Sequence, residues 1–301
     1  MHGASALRPT PVQSIMRRSG FRNHLFPPHK LDHWAANPRT PHSSTPPALV
    51  RRNAVITRVD LDGHPVYRVI PKQPEKARGH MVYLHGGGYV KPLIPLIHWP
   101  FIVKLAGTLQ RTVTVPIYPL APEHSYRDVF PFLLRIYDRL LGTWSADTVM
   151  FAGDSTGASM ALALCHALRD ADGVQPSALL MFSPWLDVRI PAPEAQAVAD
   201  IDPGLNIEHL REAGRRYAGG DPLDTPLVSP GLGLLAGLPP MTIFTGGHDL
   251  LDPDIRAFRR RAATEGIDIG WHERDRGLHC WPMMPGRHTK AAFAAIRTSF
   301  G

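Results

Sequence analysis

A chain of 301 residues with two cysteines, Cys165 and Cys280, has no disulfide framework, and at this length it can bury about three-quarters of its unfolded surface around one core. The net charge of +7 sits on scattered groups, Arg17-Arg18, Arg51-Arg52, Arg215-Arg216 and Arg259 to Arg261, which read as solvated faces, so no nucleic-acid partner is expected. No stretch approaches the roughly 20 apolar residues of a membrane helix, and no apolar segment with a small-residue cleavage site marks a secretory signal, so membrane insertion is not expected and a cytoplasmic location is.

Residues 1 to about 50 are rich in Pro, His and Arg and stand outside the pattern of the rest of the chain. Val55 to Asp60 and Pro65 to Ile70 flank Asp62-Gly63, a hairpin signal. Met81 to Leu84, Thr112 to Ile117, Thr148 to Phe151, Ala178 to Phe182, Met241 to Thr245 and Asp268 to Glu273 complete eight predicted strands. Helix-length patterns lie between most of the later ones: Trp99 to Gln110, Tyr126 to Leu141, Gly157 to Asp170 and Pro253 to Glu265, with Lys290 to Phe300 closing the chain. Strand and helix in alternation demand a mostly parallel sheet covered on both faces, in a single α/β domain spanning 1–301 without internal repeat. A second stretch, about 188–226, also breaks the alternation and carries a helical pattern through Ile207 to Tyr217. Insertions of this kind cover sites, and the two stretches together predict a helical cap over a pocket.

Thr148 to Phe151 leads into Gly153-Asp154-Ser155-Thr156-Gly157 and then into a helical pattern, which predicts a serine held on a sharp strand-to-helix turn. Glycines stand on both sides because the backbone is strained there and the helix must pass close to the strand. Such a pattern recurs by chance, and a second element gives it weight. His85-Gly86-Gly87-Gly88 directly follows the apolar run His80 to Leu84, leaving backbone amides unobstructed at a strand end. Attack by a serine on an acyl carbonyl produces a tetrahedral oxyanion, and each donor aimed at it contributes about 3 to 4 kcal/mol. The expected oxyanion donors are the amides of Gly87, Gly88 and Thr156. A phosphate-binding turn would want a Lys-Ser or Lys-Thr ending or the G-x-G-x-x-G spacing, and this run has neither.

A serine hydroxyl becomes a competent nucleophile when a histidine takes its proton, and an acid must fix that histidine's tautomer. In folds built on this turn the chain order is serine, acid, histidine. Three aspartates follow the strand Met241 to Thr245. Asp252 precedes Pro253 and reads as a helix N-cap, and Asp254 lies in the first turn, where negative charge suits the helix dipole. Asp249 lacks such a role and is the expected acid, with Asp252 as the alternative. Of sixteen histidines, His272 lies inside the last strand, whereas His279 is delivered by the loop beyond it, where groups at the carboxyl ends of strands converge. His279 is the expected base; His98, His124 and His288 are expected in surface or capping roles.

The neighbouring residues have plainer readings. Asp154 is expected to hydrogen-bond within the turn, and Tyr118 to His124 to form a rigid turn with a capping Glu123-His124 pair. Cys165 reads as a small core residue and Cys280 as a packed neighbour of the base. Tyr89, Trp185 and Trp281 adjoin the motifs, either lining a pocket or packing in the core.

Taken together, His85 to Gly88, Tyr118 to His124, the turn around Ser155, Ser183-Pro184-Trp185, Leu238-Pro239-Pro240, Asp249 and His279 resemble the hormone-sensitive lipase family of α/β-hydrolases, in its microbial esterase branch. The resemblance runs from about residue 50 to the C-terminus and implies an α/β-hydrolase fold, a nucleophile after the fifth strand, an acid after the seventh and a histidine after the eighth. It also implies a cap built from the N-terminal segment and the later insertion, and short or medium acyl chains. The chain departs from the family pattern in three places: Ser-Thr-Gly-Ala in the turn where Ser-Ala-Gly-Gly is common, Asp252-Pro253-Asp254 where Asp-Glu is common, and Cys280-Trp281 where Gly-Phe is usual. The expected activity is hydrolysis of a small-molecule carboxylic ester through an acyl-enzyme, without metal or cofactor. The alternatives are an amidase or formamidase on the same triad and a non-catalytic small-molecule-binding protein of this fold.

Overall fold

The computed structural model describes residue 9 and residues 11–19, 28–37 and 44–301. Its centre is an eight-stranded sheet in the order β1-β2-β4-β3-β5-β6-β7-β8. The strands are β1 (Ala54–Leu61), β2 (His64–Pro71), β3 (His80–Leu84), β4 (Thr112–Pro116), β5 (Val149–Asp154), β6 (Leu179–Phe182), β7 (Met241–Gly246) and β8 (Ile269–Arg274). The pairs β1/β2 and β2/β4 are antiparallel and the others parallel. The hairpin closes as its sequence requires, with Asp62 at φ 51° and Gly63 at φ 79°, both in the left-handed region that a tight two-residue turn needs.

The two-residue period of the strands divides the core between the faces. Val82, Leu84, Val149, Phe151, Met181 and Ile243 point to one side, under α4 (Tyr126–Leu141), α5 (Thr156–Asp170) and α8 (Asp252–Thr264). Met81, Tyr83, Met150, Ala152, Leu180 and Phe244 point to the other, under α3 (Pro95–Leu109) and α9 (Arg287–Phe300). Side chains of this size contribute about 1.5 to 3 kcal/mol each when fully buried, which is how a chain without disulfides holds a sheet of this width. Both cysteines are free and buried.

Several predicted boundaries shift. β5 runs on from Phe151 to Asp154 because Gly153 pairs with Leu84 on one side, and Gly153 and Asp154 pair with Met181 and Phe182 on the other; glycine's poor strand propensity hides this. α3 begins at Pro95, about a turn before the expected Trp99, since a proline in the first turn gives up no needed donor. The helix after Tyr118 to His124 is capped by Ser125 and not by Glu123-His124: Ser125 Oγ accepts from Arg127 N at 3.3 Å and Asp128 Oδ2 accepts from Ser125 N at 2.8 Å.

The Pro-rich N-terminal segment holds two short helices, α1 (Pro11–Arg18) and α2 (Pro28–Ala36), each opening on a proline. Residues 1–8, 10, 20–27 and 38–43 of the predicted cap lie outside the described residues. Leu31 of α2 is fully buried in the same cluster as Tyr217 of α7 (Ile207–Ala218), and Arg216 Nη2 lies 2.7 Å from Asp32 Oδ1. The insertion also carries α6 (Ala195–Ala199). Among the described residues no helix is long and apolar enough to cross a membrane.

Candidate active site

Ser155 stands between the end of β5 and the start of α5 at φ 51°, ψ −120°, a conformation that costs a non-glycine residue about 1 to 3 kcal/mol. Its amide donates to Phe182 O at 2.8 Å, and its carbonyl accepts from Ser159 N at 3.2 Å, which holds the turn in place. A Cβ at Gly157 would collide with the Leu84 and His85 backbone, and one at Gly153 would land 2.6 Å from Ala158 N. Both flanking glycines are therefore fixed by backbone passing over backbone.

The glycine run after β3 crosses directly over this serine: a Cβ at Gly86 would stand 3.0 Å from Ser155 Cβ. Gly87 at φ 144° and Gly88 at φ 64° turn the chain, and among the described residues the amides of Gly87, Gly88 and Thr156 donate to no protein acceptor. A buried polar network fixes the loop. Tyr118 stacks on His85, ring centroids 4.3 Å apart, and its hydroxyl donates to His85 O at 2.5 Å. Asp154 accepts from Tyr83 Oη at 2.6 Å and lies 3.4 Å from His98 Nε2. Burial alone would raise the Asp154 carboxyl, but His98 and Tyr83 hold it below the usual carboxylate range. His98 Nδ1 in turn lies 3.0 Å from Ile94 N and 3.2 Å from Ile94 O. His98 is thus a buried partner of Asp154 rather than the surface residue expected, and it also contacts Ile94, the N-cap residue of α3, whereas His124 and His288 are exposed.

The loops after β7 and β8 meet backbone to backbone. A Cβ at Gly246 or Gly247 would strike the backbone of Gly277 or Asp275, and Gly247 N and His248 N donate to Arg274 O at 3.0 Å and Gly277 O at 2.9 Å. This packing sets Asp249 against His279, with Nδ1 3.0 Å from each carboxylate oxygen. Asp249 is fully buried and Oδ1 also accepts from Leu251 N at 3.0 Å. Burial disfavours the charged form of His279, yet Asp249, together with Cys280 beside it, outweighs burial and raises the imidazole well above its usual value. Asp252 is occupied elsewhere. It is the first residue of α8 rather than its N-cap, and it accepts from Thr245 Oγ1 at 2.6 Å and from Arg256 Nε at 2.5 Å. His272 lies within β8, stacked on Phe244 with centroids 4.4 Å apart.

The end of β6 joins the serine turn to the histidine loop. Phe182 O, which accepts from Ser155 N, is also 3.7 Å from Cys280 Sγ, and Ser183 Oγ accepts from Cys280 N at 3.0 Å. Among the described residues the Ser155 hydroxyl and His279 share no hydrogen bond. Cys280 adopts φ 53°, the left-handed conformation for which glycine is the default, so it holds this position with strain. Trp281 donates from Nε1 to Thr245 O at 2.9 Å and packs in the sheet-face core near Phe244. Tyr89 stacks face to face on Tyr217, centroids 3.7 Å apart, and lies 5.5 Å from Trp185, all three buried. Among the described residues no group of three or more His, Cys, Asp or Glu is arranged to hold a metal ion. Two residues that gave no sequence signal reach the acid loop: Gln13 contacts His248, and Asp202 contacts Leu250.

Comparison with known proteins agrees with this geometry. A family profile described as the alpha/beta hydrolase fold matches residues 81–283. An acetyl-hydrolase of Streptomyces hygroscopicus is 32% identical over 228 residues, 73% of this chain and 76% of that protein. An esterase of Acinetobacter venetianus is 32% identical over 191 residues, 62% of either chain. Among solved structures, a hormone-sensitive lipase from a metagenome library matches with a TM-score of 0.81 at 25% identity, covering 96% of each chain. An esterase from the bacterial hormone-sensitive lipase family matches with a TM-score of 0.79 at 26% identity, covering 100% of each. The chain belongs to the α/β-hydrolases, and within them to the hormone-sensitive lipase family.

Proposed function

We propose that this carboxylic ester hydrolase works through an acyl-enzyme on Ser155, with His279 as general base and acid, Asp249 as its orienting carboxylate, and the amides of Gly87, Gly88 and Thr156 as the oxyanion hole. The observation that carries the reading is the contact of His279 Nδ1 with both Asp249 oxygens at 3.0 Å, which orients the ring and leaves Nε2 for the serine proton. Ser155 Oγ attacks the ester carbonyl as Nε2 takes its proton. The oxygen of the tetrahedral intermediate gains negative charge between amides that have no competing acceptor among the described residues. Collapse expels the alcohol, which takes the proton back from His279, and water repeats the sequence to release the acid.

The helices α1 and α2, together with the insertion bearing α6 and α7, form a cap on this reading. Tyr217 of the cap helix α7 stacks on Tyr89, which lies beside Trp185, and on this reading the three buried rings limit the length of acyl chain that fits. The name acetyl-hydrolase, printed for one relative, supports a short acyl group. Each added methylene contributes about 0.8 kcal/mol while apolar space remains, so kcat/KM on p-nitrophenyl esters is expected to climb and then fall, with acyl chains of about four to eight carbons favoured. The matched amide is expected to turn over far more slowly than its ester. A steady rise through about sixteen carbons would make the protein a lipase, and equal turnover of the amide would make it an amidase.

A further inference from the structure

The residues on either side of Asp249 are each held by a different segment from outside the sheet. His248 is buried, and its Nδ1 lies 3.0 Å from Gln13 Nε2 and 3.1 Å from Gln13 Oε1; Gln13 is a buried residue of α1 and 235 positions away in the chain. On the other side, Leu250 N donates to Asp202 Oδ2 at 2.9 Å. Asp202 belongs to the insertion between β6 and β7, is itself buried, and uses Oδ1 to accept from Gly204 N at 2.7 Å and Leu205 N at 3.0 Å. The insertion grips the following helix a second time, where Ala192 N donates to Asp254 Oδ1 at 3.1 Å. A loop whose neighbours on both sides are pinned by partners distant in sequence has little freedom to swing its central carboxylate.

We propose that Gln13 and Asp202 are positioning residues that set Asp249 against His279, so that the cap, besides covering the pocket, holds the catalytic acid in its working place. The proposal rests on the reading of Asp249 as the acid of the triad. A displacement of about 1 Å at a catalytic group can cost on the order of a hundred-fold in rate, so the loss belongs in turnover rather than in substrate binding. Gln13 carries no charge, and its removal acts through geometry alone. Asp202, which burial and the nearby Asp249 raise to about 6, also contributes charge.

The test is steady-state kinetics of the full chain on a short-chain p-nitrophenyl ester for Gln13→Ala, Asp202→Asn and Asp249→Asn, with the pH dependence of kcat/KM for each. Gln13→Ala and Asp202→Asn are expected to lower kcat by about ten- to a hundred-fold at nearly unchanged KM. In both, the acid limb of the profile is expected to move to lower pH as the contact that raises His279 slackens. If Asp202→Asn fails to fold, Gln13→Ala, which removes no buried charge, carries the test. A lowered melting temperature with kcat and the acid limb unchanged would reduce both residues to structural anchors and overturn the proposal, as would a raised KM alone. A fully active Asp249→Asn would instead overturn the triad reading, so the two failures are distinct.

Discussion

Asp249 and Asp252 lie three residues apart, yet their surroundings give them separate tasks. Asp249 is fully buried and spends its oxygens on His279 and Leu251 N, whereas Asp252 bonds Thr245 and Arg256. Asp249→Asn should therefore lower kcat on the order of ten-thousand-fold by losing control of the His279 tautomer. Asp252→Asn should leave kcat within a few-fold of the parent and lower the melting temperature, because what it weakens is the tie to Arg256. The pH profile separates them further. On the proposed mechanism His279 must be neutral to accept the serine proton, and Asp249 raises it, so the rate should climb with pH through an apparent pKa above about 6.5. That limb should move down in Asp249→Asn and stay in place in Asp252→Asn. The reverse ordering of the two variants would move the acid role to Asp252.

At the scale of elements, the strands were legible because apolar and β-branched runs end at glycines, and the chemistry-bearing residues stand at or just beyond those ends. Gly153, Gly157 and the run Gly86 to Gly88 signalled close approach, and the packing of Gly157 against Leu84 and His85 supplies its physical cause. The added residues of β5 were hidden by glycine in a strand. The helices α1 and α2 were hidden by prolines, which mark a helix start as readily as an irregular segment. What no local pattern could reveal is pairing at long range. His98 meets Asp154, Gln13 meets His248 and Asp202 meets Leu250 through the folded chain. A histidine in a helix or an aspartate before a proline has an adequate local explanation, and that explanation is what the sequence offers.

For the whole molecule, buried histidines set the response to acid. Burial lowers His80 and His85 to about 3 and His166 to about 4, so each stays neutral in the fold and takes up a proton on unfolding once the pH is below about 6.5. Each then destabilises the fold by about 1.4 kcal/mol per pH unit, down to its folded-state value. Burial raises Asp202 and Asp254 to about 6, so below that value the fold binds their protons first, and acidification toward about 4 favours the fold through these two groups. Burial lowers His64 and His272 as well, so the histidines outnumber the raised carboxyls and the fold is expected to lose stability between about pH 6.5 and 5. Urea unfolding at pH 7 and pH 5 should show that fall, and equal or greater stability at pH 5 would refute it. The central claim, that Ser155 is the nucleophile, is tested most directly by labelling with a fluorophosphonate and mapping the adduct by mass spectrometry. The account predicts one adduct per chain, on Ser155, absent in Ser155→Ala, with turnover in that variant lower on the order of a million-fold. An adduct on another residue, or a Ser155→Ala enzyme that keeps most of its activity, would contradict it.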